Sequence, residues 1–504
     1  MCWIHCGLDF HNVMSDPLDI RCFRSPLEGG GYPHMRSSPR FLIVIHRRPT
    51  GGDKTGPPTD QPLMALLKKE YTPCRRVSAM SQAAPAIMSV SPSRALVDEA
   101  FKVLVENLPP GAPVTLRSLH QSEDKDHWEA YGHYVSDPTG AVSVTDDLSL
   151  GGTYQGKEAM GLLWSMRPVP GSRTGLRLRK LNVCSPMLVA ISVYSGHVCD
   201  NFSQQPPLAT VLTERWYMAP GVCRLDVKDR GVRGTLFIPP GPGPFPGMLD
   251  MWGGGGGLLE YRSALLATHG YASLALEYFA PGELASTDLE VDYFEKAFEM
   301  VRQHPAVIPD KVGILGLSLG TTVAMYLASE STVVKPTCCV CISGSHFYPR
   351  GKTLSGVHGD VRKIRMDENQ NLIWRDLVEV SSDLSRKMDV RRINCPILLV
   401  NGLDDQNHPT VEFAEDIFQM MRSVGKDHLL TRLEYPGTGH LIEPPYSPHF
   451  RATNFMWDSK KAKVTLLWGG QTQAHSHAQE DSWRKILAFL QQHLYSRPSP
   501  RARM

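Results

Sequence analysis

Three side chains in one chain order carry the chemistry open to this sequence. Ser318 stands between Gly316 and Gly320 in "ILGLSLGTTVAMYLA" (residues 314–328), at the spacing G-x-S-x-G, with an apolar run before it and a helix-like run after it. A serine on so sharp a strand-to-helix turn has its hydroxyl raised at the carboxyl edge of a sheet, and the residues two before and two after it must be small. The hydroxyl is a poor nucleophile until a base takes its proton. Acid and histidine should then follow in the order Ser, Asp or Glu, His. Downstream, "CPILLVNGLDDQNHP" ends an apolar strand in Asp404 and Asp405, and "LLTRLEYPGTGHLIEPPY" ends another in a loop bearing His440. Each interval leaves room for one strand–helix unit.

In this reading His440 is the general base, and Asp405 orients its ring and stabilises the imidazolium. Asp404 is the rival acid, read otherwise as a turn or capping residue. His408, in a turn ahead of a helix, reads as solvated, and His449 follows "PPYSP" with no strand to position it. The chemistry also needs donors for a developing oxyanion. Gly253 to Gly257 in "MWGGGGGLLEYR" have no side chains, so the backbone N–H groups of Gly254 and Gly255 are available, with that of Leu319 as the other donor. One such donor contributes ~3 kcal/mol to the transition state. The run lacks the G-x-G-x-x-G pattern of a dinucleotide loop, and no GxxxxGK[ST] occurs. Such a site needs no metal and no redox cofactor. "CCVC" (Cys338, Cys339, Cys341) has no second pair of ligands at metal spacing and reads as buried thiols in a core strand.

The elements that must position these residues follow from the pattern. From about 236, "GMLDMWGG", "YASLALEYF", "KVGILGLS", "KPTCCVCISG", "CPILLVNGLDD" and "LLTRLEYPG" read as strands. They alternate with helices in "LLEYRSALLATHG", "DLEVDYFEKAFEMVRQHPAVI", "LGTTVAMYLAS", "TVEFAEDIFQMMRSVG" and "EDSWRKILAFLQQHL". That alternation predicts a mostly parallel sheet with helices on both faces. From 88 to 235 the chain reads as short strands punctuated by turns such as "PPGAP", "DPTGAV" and "PGSRTG", which predicts an antiparallel β-sandwich. In "LRLRKLNV" the expectation is a strand with Leu176, Leu178 and Leu181 on one side and Arg177, Arg179 and Lys180 on the other.

Residues 1–87 are rich in Gly, Pro and Arg without a period and read as a disordered arm. Within it, the basic segment opened by Met64 has the composition of a mitochondrial transit peptide, and the flexible tail 497–504 ends in Ala502-Arg503-Met504, a loose variant of a peroxisomal address. The net charge of +2 over 504 residues gives no reason to expect a nucleic-acid partner. No apolar run approaches the ~20 residues that span a bilayer. The 11 cysteines, irregularly spaced, suit an intracellular setting: cytoplasm, mitochondrion or peroxisome.

Longer stretches carry a resemblance. "VRGTLFIPPGPGPFPGMLDMWGGGGGLLEYRSALLATHGYASLALEYF", "YPGTGHLIEPPYSPHFRA" and "LLWGGQTQAHSHAQEDSWRKILAFLQQHL" resemble the type I acyl-CoA thioesterases and bile acid-CoA:amino acid N-acyltransferase. "LGGTYQGKEAMGLLWSMRP" and "ERWYMAPGVCR" are similar to that family's amino-terminal sandwich. The resemblance covers about residues 88–496. It implies an α/β hydrolase fold over 236–496 behind the sandwich, a fatty acyl-CoA substrate, hydrolysis to free acid and coenzyme A, and a triad on Ser318, Asp405 and His440. The N-acyltransferase branch usually carries cysteine at the position of Ser318, so serine argues for hydrolysis over transfer to glycine or taurine. The thioesterases usually have lysine where this chain has Leu319 and glycine where it has Thr321, which bears on substrate preference. A carboxylesterase of broad range and a catalytically silent acyl-CoA binder are the other readings.

Overall fold

The computed structural model describes residues 85–279, 290–348, 360–377, 379–457 and 462–495. The segment opened by Met64 and the tail 497–504 lie outside the described residues, as does the arm up to residue 84. No helix among the described residues is long and apolar enough to cross a membrane.

Eight strands form the main sheet: β1 (Cys223–Asp229), β2 (Val232–Ile238), β3 (Phe245–Met251), β4 (Ala272–Leu276), β5 (Val307–Leu317), β6 (Cys339–Ile342), β7 (Ile397–Gly402) and β8 (Leu430–Tyr435). Their spatial order is β1-β2-β4-β3-β5-β6-β7-β8. β2 runs antiparallel to both neighbours, and every pairing from β4 to β8 is parallel. One reversed second strand, with β3 and β4 exchanged, is the α/β hydrolase fold.

The strands read as continuous apolar runs because both faces are covered. Ile314 of β5, Cys339 and Cys341 of β6, and Ile397 and Leu399 of β7 face one core, beneath α2 (Val291–Gln303), α3 (Leu319–Ser329) and α4 (Thr410–Arg422). Leu315, Leu317, Val340, Ile342, Leu398 and Val400 face the other, beneath α1 (Tyr261–Thr268) and α5 (Thr472–Leu490). The thiols of "CCVC" are thus free and buried in and beside β6, and burial pushes the Cys338 and Cys341 thiols far up.

Ahead of this sheet, Ile87–Ser91, Lys102–Glu106 and Val142–Ser143 make a three-stranded sheet. Arg94–Leu96, Ala209–Trp216, Met187–Ser195, Pro113–Gln121, His127–Val135 and Arg167–Pro168 make a six-stranded one. Its pairings are antiparallel apart from Arg94–Leu96 with Ala209–Trp216. One apolar cluster runs from these strands (Val103, Leu116, Trp128, Val189) to the α1 and α5 face of the main sheet (Leu265, Leu266, Ile486, Leu490).

Two sequence expectations change here. The sandwich was expected to extend to residue 235, but β1 and β2 form a hairpin that pairs onto β4, Gly234 opposite Leu276, so Cys223–Ile238 lie in the main sheet. "LRLRKLNV" forms no strand. Leu181 is exposed while Lys180 is buried against Glu123, because this segment crosses a buried polar region rather than pairing in a ladder.

A small four-stranded sheet combines Arg365–Met366, Leu372–Ile373, Ala462–Leu467 and Ala452–Trp457. Sequence reasoning did not anticipate it.

Candidate active site

Ser318 occupies the turn between β5 and α3 at φ 56°, ψ −116°. Positive φ strains a non-glycine residue by ~1–3 kcal/mol, and such strain persists only when the surroundings enforce it. Here they do. A side chain at Gly316 would run into the Gly320 carbonyl, and one at Gly320 would come within 2.5 Å of the Met251 carbonyl oxygen. The Ser318 N–H donates to Ile342 O at 2.8 Å, which ties the turn to β6. Thr321 Oγ1 lies 2.9 Å from both Gly316 O and Ile342 O, so its single proton braces β5 and β6 under the turn. Thr321 fills space that Gly344 leaves open: a side chain at Gly344 would collide with Thr321 Cβ. Thr321 is therefore accommodated by a glycine on the facing loop.

The glycine loop is fastened at both ends. Trp252 O accepts from Gly320 N–H at 3.0 Å and from the Tyr278 hydroxyl, and Gly257 N–H donates to Tyr278 O at 2.7 Å. Gly256, at φ 62°, has no room for a Cβ against Phe279. Beneath the loop, Arg262 of α1 reaches Asp250 Oδ1 at 2.8 Å and Met251 O at 2.8 Å, and Ser263 Oγ donates to Asp250 Oδ2 at 2.9 Å. This buried ion pair, missed in the sequence, fixes α1 to the end of β3. Gly253 comes nearest the serine, its side-chain position 3.7 Å from Ser318 Oγ. The N–H groups of Gly254, Gly255 and Leu319 have no backbone acceptor among the described residues. Leu319 opens α3, where the first N–H groups have no intrahelical partner and the helix end carries partial positive charge. Its side chain is half-buried against the core under α3.

Asp405, fully buried at the end of β7, has both oxygens committed. Oδ1 accepts the N–H groups of Asn407 and His408 at 2.8 Å each, and Oδ2 lies 2.7 Å from His440 Nδ1. An ionised carboxylate only accepts, so Nδ1 carries the proton and Nε2 of neutral His440 carries the lone pair. Nε2 is buried and makes no hydrogen bond with a described residue. The ring stacks on Trp468 at 5.6 Å and 17°, and the His440 N–H donates to Trp468 O at 2.9 Å. Trp468 is held by its own Nε1, which donates to Thr453 Oγ1 at 2.8 Å. Phe455 of the small sheet lies between the two halves of the site, 6.3 Å from Trp468 between ring centroids and 3.8 Å from the side-chain position of Gly255.

The rivals have other partners. Asp404 Oδ2 accepts from Gly470 N–H at 2.8 Å, and Oδ1 from Gln406 Nε2 at 2.7 Å. His449 makes contacts to Gly469 O (3.0 Å) and Thr472 Oγ1 (3.2 Å). His408 is half-buried rather than solvated, its ring edge-on to His440 at 5.1 Å. Ser318, Asp405 and His440 thus stand at the carboxyl ends of β5, β7 and β8, where open α/β sheets bind ligands.

Fold and site together define an α/β hydrolase with a serine on the strand-to-helix turn after β5. The chain belongs to the acyl-CoA thioester hydrolase and bile acid-CoA:amino acid N-acyltransferase family. The family models "Acyl-CoA thioester hydrolase/BAAT N-terminal region" and "BAAT / Acyl-CoA thioester hydrolase C terminal" match residues 98–229 and 289–496. The chain is 38% identical to the mouse peroxisomal succinyl-coenzyme A thioesterase, over 82% of this chain and 97% of that protein. It is 35% identical to mouse bile acid-CoA:amino acid N-acyltransferase, over 81% and 98%. It is 36% identical to human acyl-coenzyme A thioesterase 1, over 79% and 94%.

Proposed function

We propose that the protein is an acyl-CoA thioesterase that hydrolyses fatty acyl-CoA to free acid and coenzyme A. The relatives named as thioesterases support the substrate class. The observation that carries the chemistry is the Asp405–His440 pair at 2.7 Å, which leaves Nε2 as the ring's free base.

In this mechanism Ser318 Oγ bonds to the thioester carbonyl carbon while its proton passes to His440 Nε2. The carbonyl oxygen becomes an oxyanion, met by the N–H groups of Leu319, Gly254 and Gly255. Collapse breaks the C–S bond. The sulfur takes that proton from His440, so coenzyme A leaves as the thiol and His440 is again neutral. His440 then withdraws a proton from water, hydroxide adds to the acyl-serine, and Ser318 is regenerated as the acid departs.

The test is a panel of short, long, branched and bile-acid CoA thioesters, with and without glycine or taurine, against Ser318→Ala. Free acid with amine present supports hydrolysis; a conjugate in its place would assign the protein to the acyltransferase branch. Relatives named for peroxisome and mitochondrion support an intracellular setting.

A further inference from the structure

The sandwich and the loop after His440 line a partly open cavity of about 230 Å³. Ser318, Asp405, His440 and the glycine loop are not among its walls. Apolar side chains line part of it, including Leu163, Met166, Leu178 and Met187. The charged part of the wall holds the cations Lys125, Arg179, Lys180 and Arg215 and the carboxylates Glu123 and Glu443.

The two carboxylates of the wall are already engaged. Glu443 is spent on Arg177 and on the Tyr261 hydroxyl, 2.8 Å from Oε2. Glu123 is spent on Lys180, 2.5 Å from Oε1, and on the Leu181 N–H at 2.7 Å. Arg179 makes no hydrogen bond or ion pair with a described residue, and its Nε is buried. Arg215 is 1% exposed. Its Nη2 donates to the carbonyls of Val97 and Glu99, while Nε and Nη1 make no hydrogen bond with a described residue. Glu99 and Asp98 lie near enough to favour the charged form of Arg215 without hydrogen-bonding to its side chain: Asp98 Oδ2 meets His269 and Trp483, and Glu99 accepts the Leu96 N–H. Arg177 beside it, and burial, lower Arg179 to about 10; burial lowers Arg215 to about 10. Buried charge is costly unless paired, and an unmet guanidinium presents a fork of donors suited to a carboxylate.

We propose that this cavity is a binding site for a small dicarboxylate, its carboxylates taken by Arg179 and Arg215 and its methylenes lying against Leu163, Met166, Leu178 and Met187. The volume is far too small for a whole acyl-CoA. Two guanidinium groups on an apolar wall favour a short chain with two anionic ends over inorganic phosphate. Because Tyr261 and Glu443 also line the cavity, the occupant lies against the loop that carries His440.

Calorimetric titration of the full chain with adipate, hexanoate and inorganic phosphate tests this, alongside Arg179→Gln and Arg179→Lys. Adipate is expected to bind at one saturable site and to raise the melting temperature, with hexanoate weaker. Arg179→Gln should weaken adipate about tenfold or more, as loss of a charge-assisted partner does, and Arg179→Lys should fall between. If Arg179→Gln does not fold, the wild-type and Arg179→Lys titrations still decide. Absence of saturable adipate binding, equal binding by wild type and Arg179→Gln, or phosphate binding more tightly than adipate would each overturn the proposal.

Discussion

His475 brackets His440. From α5, its Nδ1 accepts the N–H of Gly439 at 3.1 Å and its Nε2 donates to the carbonyl of Leu441 at 2.8 Å. The residues on either side of His440 are thereby pinned by one neutral imidazole, which fixes where the His440 side chain leaves the backbone.

His475→Ala would strand both groups in a buried setting, at ~1–3 kcal/mol for each unmet partner. The expected outcome is a lower denaturation midpoint and a reduced kcat with KM little changed, since His475 is buried and meets His440 only through the backbone beside it. A variant stabilised by osmolyte should recover fold but not kcat. Unchanged kcat in the folded variant would remove the positioning role.

The same histidine sets an acid limit. Burial, with His449 beside it, holds His475 down to about 3, and burial lowers His449 as well. An unfolded histidine titrates near ~6.5. Below that pH the unfolded chain binds the extra proton and the folded chain does not. Stability is therefore full above ~6.5 and declines as pH falls toward 3, by ~1.4 kcal/mol per pH unit for each such group. Urea midpoints between pH 7.5 and 5 should fall in the wild type and fall less steeply in His475→Gln.

Thr321 and Gly344 form a second testable pair. Gly344→Ala is expected to destabilise strongly, because the new methyl meets Thr321 Cβ. Thr321→Gly should cost stability by itself through loss of the hydroxyl brace. Thr321→Gly with Gly344→Ala should be less destabilised than the two single effects added, with a coupling of ~0.5–3 kcal/mol from a double-mutant cycle. Simple additivity would show that the two positions do not share the space.

Asp405→Asn keeps the shape of the acid but reverses what it offers His440 Nδ1. An amide that donates there favours the wrong tautomer, and kcat is expected to fall by about 10⁴-fold with KM near the wild-type value. Asp404→Asn, whose parent side chain hydrogen-bonds Gly470, Gln406 and Arg451 rather than His440, should fall far less. Comparing the two kcat values separates the adjacent acids.

These contrasts show where the sequence was informative. Ser318, Asp405 and His440 each end an apolar strand, so their place at one edge of the sheet followed from local pattern and chain order. The mostly parallel pairing followed too, since helices between strands favour parallel neighbours. The small sheet was not legible: Leu372–Ile373 is two residues long and pairs with a strand some ninety residues later. Trp468 and His475 act on His440 only through that long-range packing. "LRLRKLNV" misled because alternation of leucine and cation suits an exposed strand, whereas here the cations Arg177 and Arg179 turn inward to Glu443 and the cavity.

The central claim is that Ser318 is the nucleophile for thioester cleavage. Hydrolysis of a long-chain acyl-CoA by wild type and by folded Ser318→Ala, followed by release of the free thiol, tests it most directly. Loss of the nucleophile should lower kcat by about 10³-fold or more, leaving only what binding and the oxyanion donors supply. Equal turnover by the two proteins would contradict the account.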